Sequence, residues 1–385
     1  MMNLTIQIFQ TRKMNQCLGA CLISALFFGA SVATAQENWQ ARWAKLVEGA
    51  KKEGKVIVSG PPGPFQREAI VEGWKKAFPD IRLEWTGARG TQILARVVRE
   101  REAGIYAWDI ILASTDPTVF LLPPIKALLP LRDALVDPDV FDDAKWHGGF
   151  NEGFVDAEKK YFYSPMGLAG MNLGFVNRAC IGREIFNKLD DMKRPELKGK
   201  VVWLDPMLPS SGSRSTWRLT VDKGEDWLRD LFRNQDVVFS RDYRQIAEWI
   251  VSCRKPVGVG IPDDVLSQMQ KQGLGKQVEE MFGTPWFGNH DNGWAGGNEN
   301  IGIYDRAPNP NAAKLFVNWY LSRDGQQTYA NLNKNNSRRL DTKPADPNPN
   351  NALKPGVKYS AWGDEASIVK LRTMQKSIEQ WGVLK

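Results

Sequence analysis

Three short apolar segments within the first 116 residues each end in a loop of small or polar residues, and the first two loops run into helical periodicity. Lys55-Val-Ile-Val-Ser59 is followed by Gly60-Pro-Pro-Gly-Pro-Phe65, which cannot be regular structure. Ala69, Ile70, Trp74 and Phe78 then recur at helical spacing. Residues 81–85 alternate as a strand, Thr86-Gly-Ala-Arg-Gly90 is a loop, and Ile93, Val97 and Val98 mark a second helix. A third strand, 108–113, ends at Ser114-Thr115-Asp116. Strand, helix, strand, helix, strand implies a parallel sheet with right-handed crossovers, so the class is α/β. In such sheets ligands bind beyond the carboxyl ends of the strands, which aims three loops at one place.

A second α/β unit follows. Residues 199–204 form a strand whose loop runs into Gly212-Ser-Arg-Ser-Thr-Trp217 and a helix, and 256–261 form a further strand ending at Pro262-Asp263-Asp264. Residues 160–165 and 171–176 read as extended segments that cross between the units. A Pro/Asn-rich connector, 341–351, precedes a last helix near 365–380. A chain of 385 residues is long for one small core and natural for two lobes.

The N-terminus carries Arg12 and Lys13, then an apolar, small-residue run over 17–32, then Ala33-Thr34-Ala35 before Gln36. This is the pattern of a cleaved secretory signal over 1–35, so the mature protein is expected to be exported. Leu18-Gly19-Ala20-Cys21 also spells a lipoprotein cleavage box, but no apolar segment separates Lys13 from the cysteine, so it ranks second. No later run of that length is free of charge or proline, so the mature chain is expected not to insert in a membrane. Cleavage removes the two basic residues and lowers the formal charge from +7 to +5. That balance favours an anionic ligand only weakly, and no basic run with interleaved aromatics suggests nucleic acid. Cys180 and Cys253 would then remain, either paired or as separately buried thiols. The chain has two histidines, His147 and His290, and neither sits beside a cysteine, which argues against a Cys/His metal site.

The stretch 306–327 carries the most specific pattern. Asn309 is placed to cap a helix, Pro310 suits its first position, and Leu315, Phe316, Trp319 and Tyr320 recur on one face. Ser322 with Asp324 then starts a second helix. This string resembles a signature near the end of solute-binding proteins of bacterial ABC importers. It is closest to the branch that carries ferric iron, phosphonates, sugar phosphates, thiamine and polyamines. The resemblance runs in order over essentially the whole mature chain. It implies a type II periplasmic-binding fold, each lobe a mostly parallel sheet flanked by helices and joined by two hinge crossings. On that pattern 36–135 and 283–385 form lobe 1, 136–176 the first crossing region and 177–282 lobe 2. It further implies a monomeric receptor, not an enzyme, that binds a small molecule without a cofactor and delivers it to a membrane permease.

The candidate ligand residues lie on the strand-end loops. Ser211, Gly212, Ser213 and Arg214 would offer helix-start amides, hydroxyls and a guanidinium to an anion; the plain alternative is a serine cap with a solvated arginine. Arg89, between Gly87 and Gly90, suits a carboxylate or phosphate, or is a surface arginine on a turn. Ser114 and Thr115 either bond ligand or cap the next helix. Gly60 and Phe65 belong to the first loop, and Trp286, with less weight on Trp294, could wall an organic ligand. Asp263 opposite the Ser/Arg turn would suit the amine of a zwitterion such as an aminoalkyl phosphonate; otherwise it caps a helix. The family's ferric-binding members use adjacent tyrosines and a first-loop histidine, and this chain has neither at the matching positions. A ferric site here would need Asp116, Asp263 and Asp264 instead. The rival of another class is an exported enzyme on the same fold with Cys180 or a cleft carboxylate as its reactive group. No HExxH or GxSxG motif supports it.

Overall fold

A computed structural model describes residues 39–384 apart from 63, 89, 209, 262 and 335 and the stretches 168–172, 282–299, 347–351 and 354–362; for 64–66 and 263–264 it describes the backbone alone. The expected signal segment lies outside the described residues. The two-lobe α/β architecture is present. Lobe 1 opens with helix α1 (39–53) and alternates β1 (Lys55–Gly60), α2 (Pro64–Ala77), β2 (Arg82–Gly87), α3 (Gly90–Glu102), β3 (Ile110–Ala113) and α4 (Thr115–Leu121), then reaches the short β4 (Leu128–Leu129). Its sheet takes one strand from much later in the chain, β10 (Asn300–Tyr304), giving the order β2-β1-β3-β10-β4. The first three strands are parallel and β10 is antiparallel to β3 and β4.

Lobe 2 repeats the plan with β5 (Gly174–Asn177), β6 (Val201–Leu204), α5 (Ser211–Lys223), α6 (Glu225–Asn234), β7 (Val238–Ser240), α7 (Tyr243–Val251), β8 (Val257–Val259), α8 (Asp263–Lys271) and β9 (Val278–Glu280). Its order is β7-β6-β8-β5-β9, again with three parallel strands and an antiparallel fourth. Strands β6 and β8 are buried along their whole length, as strands covered by helices on both faces must be.

The chain crosses between lobes twice, and the crossings are hydrogen-bonded to each other at both ends. On the lobe 1 side Tyr163 and Ile301 exchange backbone bonds of 2.9 and 2.8 Å; on the lobe 2 side Met281 N donates to Gly174 O at 2.8 Å and Leu173 N to Met281 O at 3.2 Å. Between these bonded ends the crossings run through 168–172 and 282–299, outside the described residues.

Two boundaries differ from those read off the sequence. Residues 136–166, expected as a crossing region, bury Val140, Trp146, Phe150, Phe154 and Tyr163 in the lobe 1 core. The last helix, expected with lobe 1, is α11 (Glu365–Trp381), following α9 (Pro310–Leu321) and α10 (Arg323–Asn333). Its Met374 and Ile378 are fully buried in the lobe 2 core. The apolar face of a helix goes where an uncovered core face remains, whatever its distance along the chain.

The signature stretch packs as its periodicity requires. Leu315, Phe316 and Tyr320 are fully buried in lobe 1 and Trp319 nearly so, each contributing about 1.5–3 kcal/mol by burial. Ser322 caps α10 by accepting from Gly325 N at 3.1 Å. Asn309 does not cap α9. Its backbone N and Nδ2 donate instead to Asp109, at 2.8 and 2.9 Å, tying the signature turn to the start of β3. In lobe 2, Cys180 and Cys253 form a disulfide with Cα atoms 6.0 Å apart. Among the described residues no helix is long and apolar enough to cross a membrane.

Candidate functional site

The three strand-end loops of lobe 1 converge. A cavity of about 190 Å³ lies between the carboxyl ends of β1, β2 and β3, lined by residues that include Gly60, Pro62, Ala88, Gly90, Ile93 and Ser114. Two glycines there serve packing. A Cβ on Gly60 would lie 2.3 Å from the Trp85 ring, and one on Gly87 would lie 3.1 Å from Pro61 O and 3.2 Å from the Cα of Pro62. Gly90 is different: a Cβ there would meet nothing within 4 Å, so the start of α3 faces open space.

The hydroxyls of the third loop are already engaged. Ser114 Oγ donates to Asp116 O at 2.7 Å, and although Ser114 occupies the position before α4 its side chain makes no cap. Thr115 is buried and its Oγ1 accepts from Asn300 Nδ2 at 2.9 Å. Asp116 pairs with Arg372 of α11 at 2.6 Å. Arg89, Trp286 and Trp294 lie outside the described residues, and Phe65 and Asp263 are placed by backbone alone, in the first turns of α2 and α8.

On lobe 2 the start of α5 divides the four candidates by role. Ser210 and Ser213 form a reciprocal capping box: Ser210 Oγ accepts from Gly212 N at 3.3 Å and from Ser213 N, while Ser213 Oγ accepts from Ser210 N at 3.3 Å. Ser213 also donates to Ser210 O at 2.9 Å and is buried, so it belongs to the cap. Gly212 is required by its surroundings, since a Cβ would lie 2.5 Å from Leu204 O. Thr216 pins the helix to β6, accepting from Trp203 Nε1 at 2.8 Å and donating to Gly212 O at 2.7 Å.

Ser211 and Arg214 are not absorbed. Ser211 Oγ is buried and makes no hydrogen bond. The Arg214 side chain is reachable by solvent, yet enough protein surrounds it that burial pushes its pKa below the ordinary guanidinium value. Among the described residues no carboxylate or carbonyl accepts from its guanidinium, and no charged neighbour contributes to its pKa shift. An anion beside this helix start is favoured by the helix dipole and the guanidinium, and the Ser211 hydroxyl adds a donor.

The two halves meet at the hinge. Asn300, which holds Thr115, is the first residue of β10 and adjoins the crossing pair Tyr163–Ile301. On the other side Gly260 N donates to Leu173 O at 2.8 Å, and Gly260 abuts Gly212 at the start of α5. The loop after β3 and the first turn of α5 therefore each lie beside one hydrogen-bonded end of the crossings. Sequence reasoning also missed three buried polar atoms, Ser164 Oγ, Asn300 Oδ1 and Thr118 Oγ1, that have no partner among the described residues. Their only signal was a polar residue set in an apolar strand or short helix.

The chain matches a family described as bacterial extracellular solute-binding protein over residues 61–327. No curated protein matches it. Among solved structures it is similar to the ferric iron-binding protein A of Mannheimia haemolytica in an open conformation, at a TM-score of 0.62 and 16% identity over 86% of this chain and 99% of that one. It is similar to a Trichodesmium protein (IdiA, FutA) in complex with iron and citrate, at 0.60 and 14% over 86% and 99%. An ABC transporter structure from Clostridium perfringens gives 0.59 and 16% over 85% and 98%. At these identities the likeness extends to the fold alone.

Proposed function

The chain belongs to the bacterial extracellular solute-binding proteins, and from that membership we propose that it traps a small organic anion, phosphate-, phosphonate- or carboxylate-bearing, between its lobes. The observation that carries the reading is Arg214, a solvent-facing guanidinium with no acidic partner among the described residues, one helical turn from the buried Ser211 hydroxyl, which has no partner among them either. An anion there would accept charge-assisted hydrogen bonds from the guanidinium. The opposite wall is the cavity between the lobe 1 loops, where Gly90 leaves the backbone approachable. Arg89 extends this wall in the proposal, as do Trp286 and Asp263 for an organic or zwitterionic ligand.

Rotation of the lobes about the two crossings would bring the walls together and exclude water. A ligand that binds the closed arrangement better shifts the population towards it, and the closed form is what a membrane permease of an ABC importer would recognise. The protein would act in the periplasm as a monomer after loss of residues 1–35. No catalytic step is assigned. The enzyme alternative loses its Cys180 nucleophile, because that sulfur is bonded to Cys253.

Iron and citrate are bound in the similar Trichodesmium structure. A ferric site here would have to draw on Asp116, and Asp116 already pairs with Arg372. A thermal-shift screen of the mature protein against organic phosphates, phosphonates, carboxylates, amines and ferric salts tests the reading. An anion should raise the melting temperature of the native protein and not of Arg214→Ala. A shift with ferric citrate alone would sink the anion proposal.

A further inference from the structure

We propose that α11 is a third, non-covalent connection between the lobes, and that its Arg372 is a positioning residue that holds the loop after β3 at the rim of the gap. The carboxyl-terminal half of the helix belongs to lobe 2. Met374 and Ile378 are fully buried there, Thr220 Oγ1 donates to Met374 sulfur at 3.1 Å, and the Trp381 ring meets Phe232 edge to face at 6.4 Å. The amino-terminal half is attached to lobe 1. Glu365 N donates to Val155 O at 2.8 Å, and a Glu365 carboxylate oxygen accepts from Ala157 N at 2.7 Å.

Between these anchors the helix touches one strand-end loop of each lobe. Arg372 Nη2 lies 2.6 Å from Asp116 Oδ1, with its guanidinium 4.2 Å from the centre of the Phe120 ring. Gln375, three residues on and so on the same face, donates to Pro206 O at 2.9 Å in the loop after β6. A helix of 17 residues is a rod of about 25 Å, and its buried face makes it move with lobe 2. When the lobes rotate, Arg372 must either carry the 114–116 loop with it or release Asp116. The contact therefore couples the lobe angle to the placement of a loop that lines the gap. Both partners are partly exposed, at 45% and 38% of the side chain, so the coupling is a few-fold bias and not a lock.

Hydrogen exchange and small-angle X-ray scattering on the ligand-free full chain test this without reference to any ligand. In Arg372→Ala the amides of 115–121 should exchange about fivefold faster, the equivalent of an exposed ion pair with a cation–π contact, while those of β6 stay protected. The radius of gyration should rise as the lobes sample wider angles. Asp116→Asn should act alike, and the double variant should be no worse than either single one, because both remove the same contact. Arg372→Lys should recover part of the protection, and Glu365→Ala, at the other anchor, should raise the radius of gyration in the same way. Unchanged exchange in 115–121, an unchanged radius of gyration, or effects that multiply in the double variant would each overturn the proposal.

Discussion

Gly260 and Gly212 meet backbone to backbone: a Cβ built on Gly260 would lie 2.8 Å from the Cα of Gly212. The contact seats the first turn of α5 against the end of β8, beside the hinge. Gly260 also has φ of +82°, a region that disfavours any side chain. Gly260→Ala should lower unfolding stability by about 1–3 kcal/mol, from strain plus the forced shift of α5. Urea unfolding measures it; an unchanged midpoint would show that the close approach is not needed.

Arg214 and Ser211 should behave as ligand groups. Arg214→Ala should weaken binding of the best anion in the screen about 10- to 100-fold, the range for losing a charge-assisted hydrogen bond, with no fall in the unfolding midpoint. Ser211→Ala should also leave stability intact, because its hydroxyl has no partner to lose. Titration calorimetry beside a melting curve separates the two effects. Ser213→Ala should do the reverse, costing about 1 kcal/mol through the cap.

Asp109 predicts a pH dependence. It is fully buried and accepts from Ile57 N at 2.7 Å and from both Asn309 donors, and burial raises its pKa to about 6 in spite of these bonds. The folded state therefore holds the proton more tightly than the unfolded chain. Its contribution is fully present below the unfolded value near 3.8 and is lost as pH rises through about 6. The difference amounts to about 3 kcal/mol at most. Asp109→Asn should flatten the pH profile of stability between pH 4 and 6, while lowering stability overall because two donors lose their acceptor.

The disulfide should matter most in lobe 2. Cys180 and Cys253 are 73 residues apart in sequence, and closing a loop of that size restricts the unfolded chain by about 4 kcal/mol. Reduction, or Cys180→Ser with Cys253→Ser, should bring the lobe 2 transition to lower denaturant. Probes in lobe 1, such as Trp74 beneath α9, should report a smaller change. Equal loss in both lobes would mean that they unfold as one unit.

Much of this architecture was legible in the chain because its cues are local. Apolar runs ending in Gly60-Pro61 and Gly199-Lys200 flanked segments marked strands, helical spacing marked α2, α3 and α9, and Ser322 marked the start of α10. The strand-end placement of the candidate site is an expectation drawn from topology. Roles within it were less legible. Ser213 and Arg214 are adjacent in sequence, yet one hydroxyl is consumed by the cap and the guanidinium has no partner among the described residues. Asn309 was in place to cap and bonds Asp109 instead, because a buried carboxylate draws donors more strongly than a solvated helix end.

What periodicity and turn chemistry dictate is the order of strands and helices, since each depends on neighbours within a few residues. What they leave open is which distant groups meet. Thr115 with Asn300, Gly212 with Gly260 and Asp116 with Arg372 join segments separated by 185, 48 and 256 residues. Those pairings were decided only when the two sheets, the hinge strands and the last helix buried their apolar faces together, because the energy of that burial depends on area and shape and carries no memory of distance along the chain.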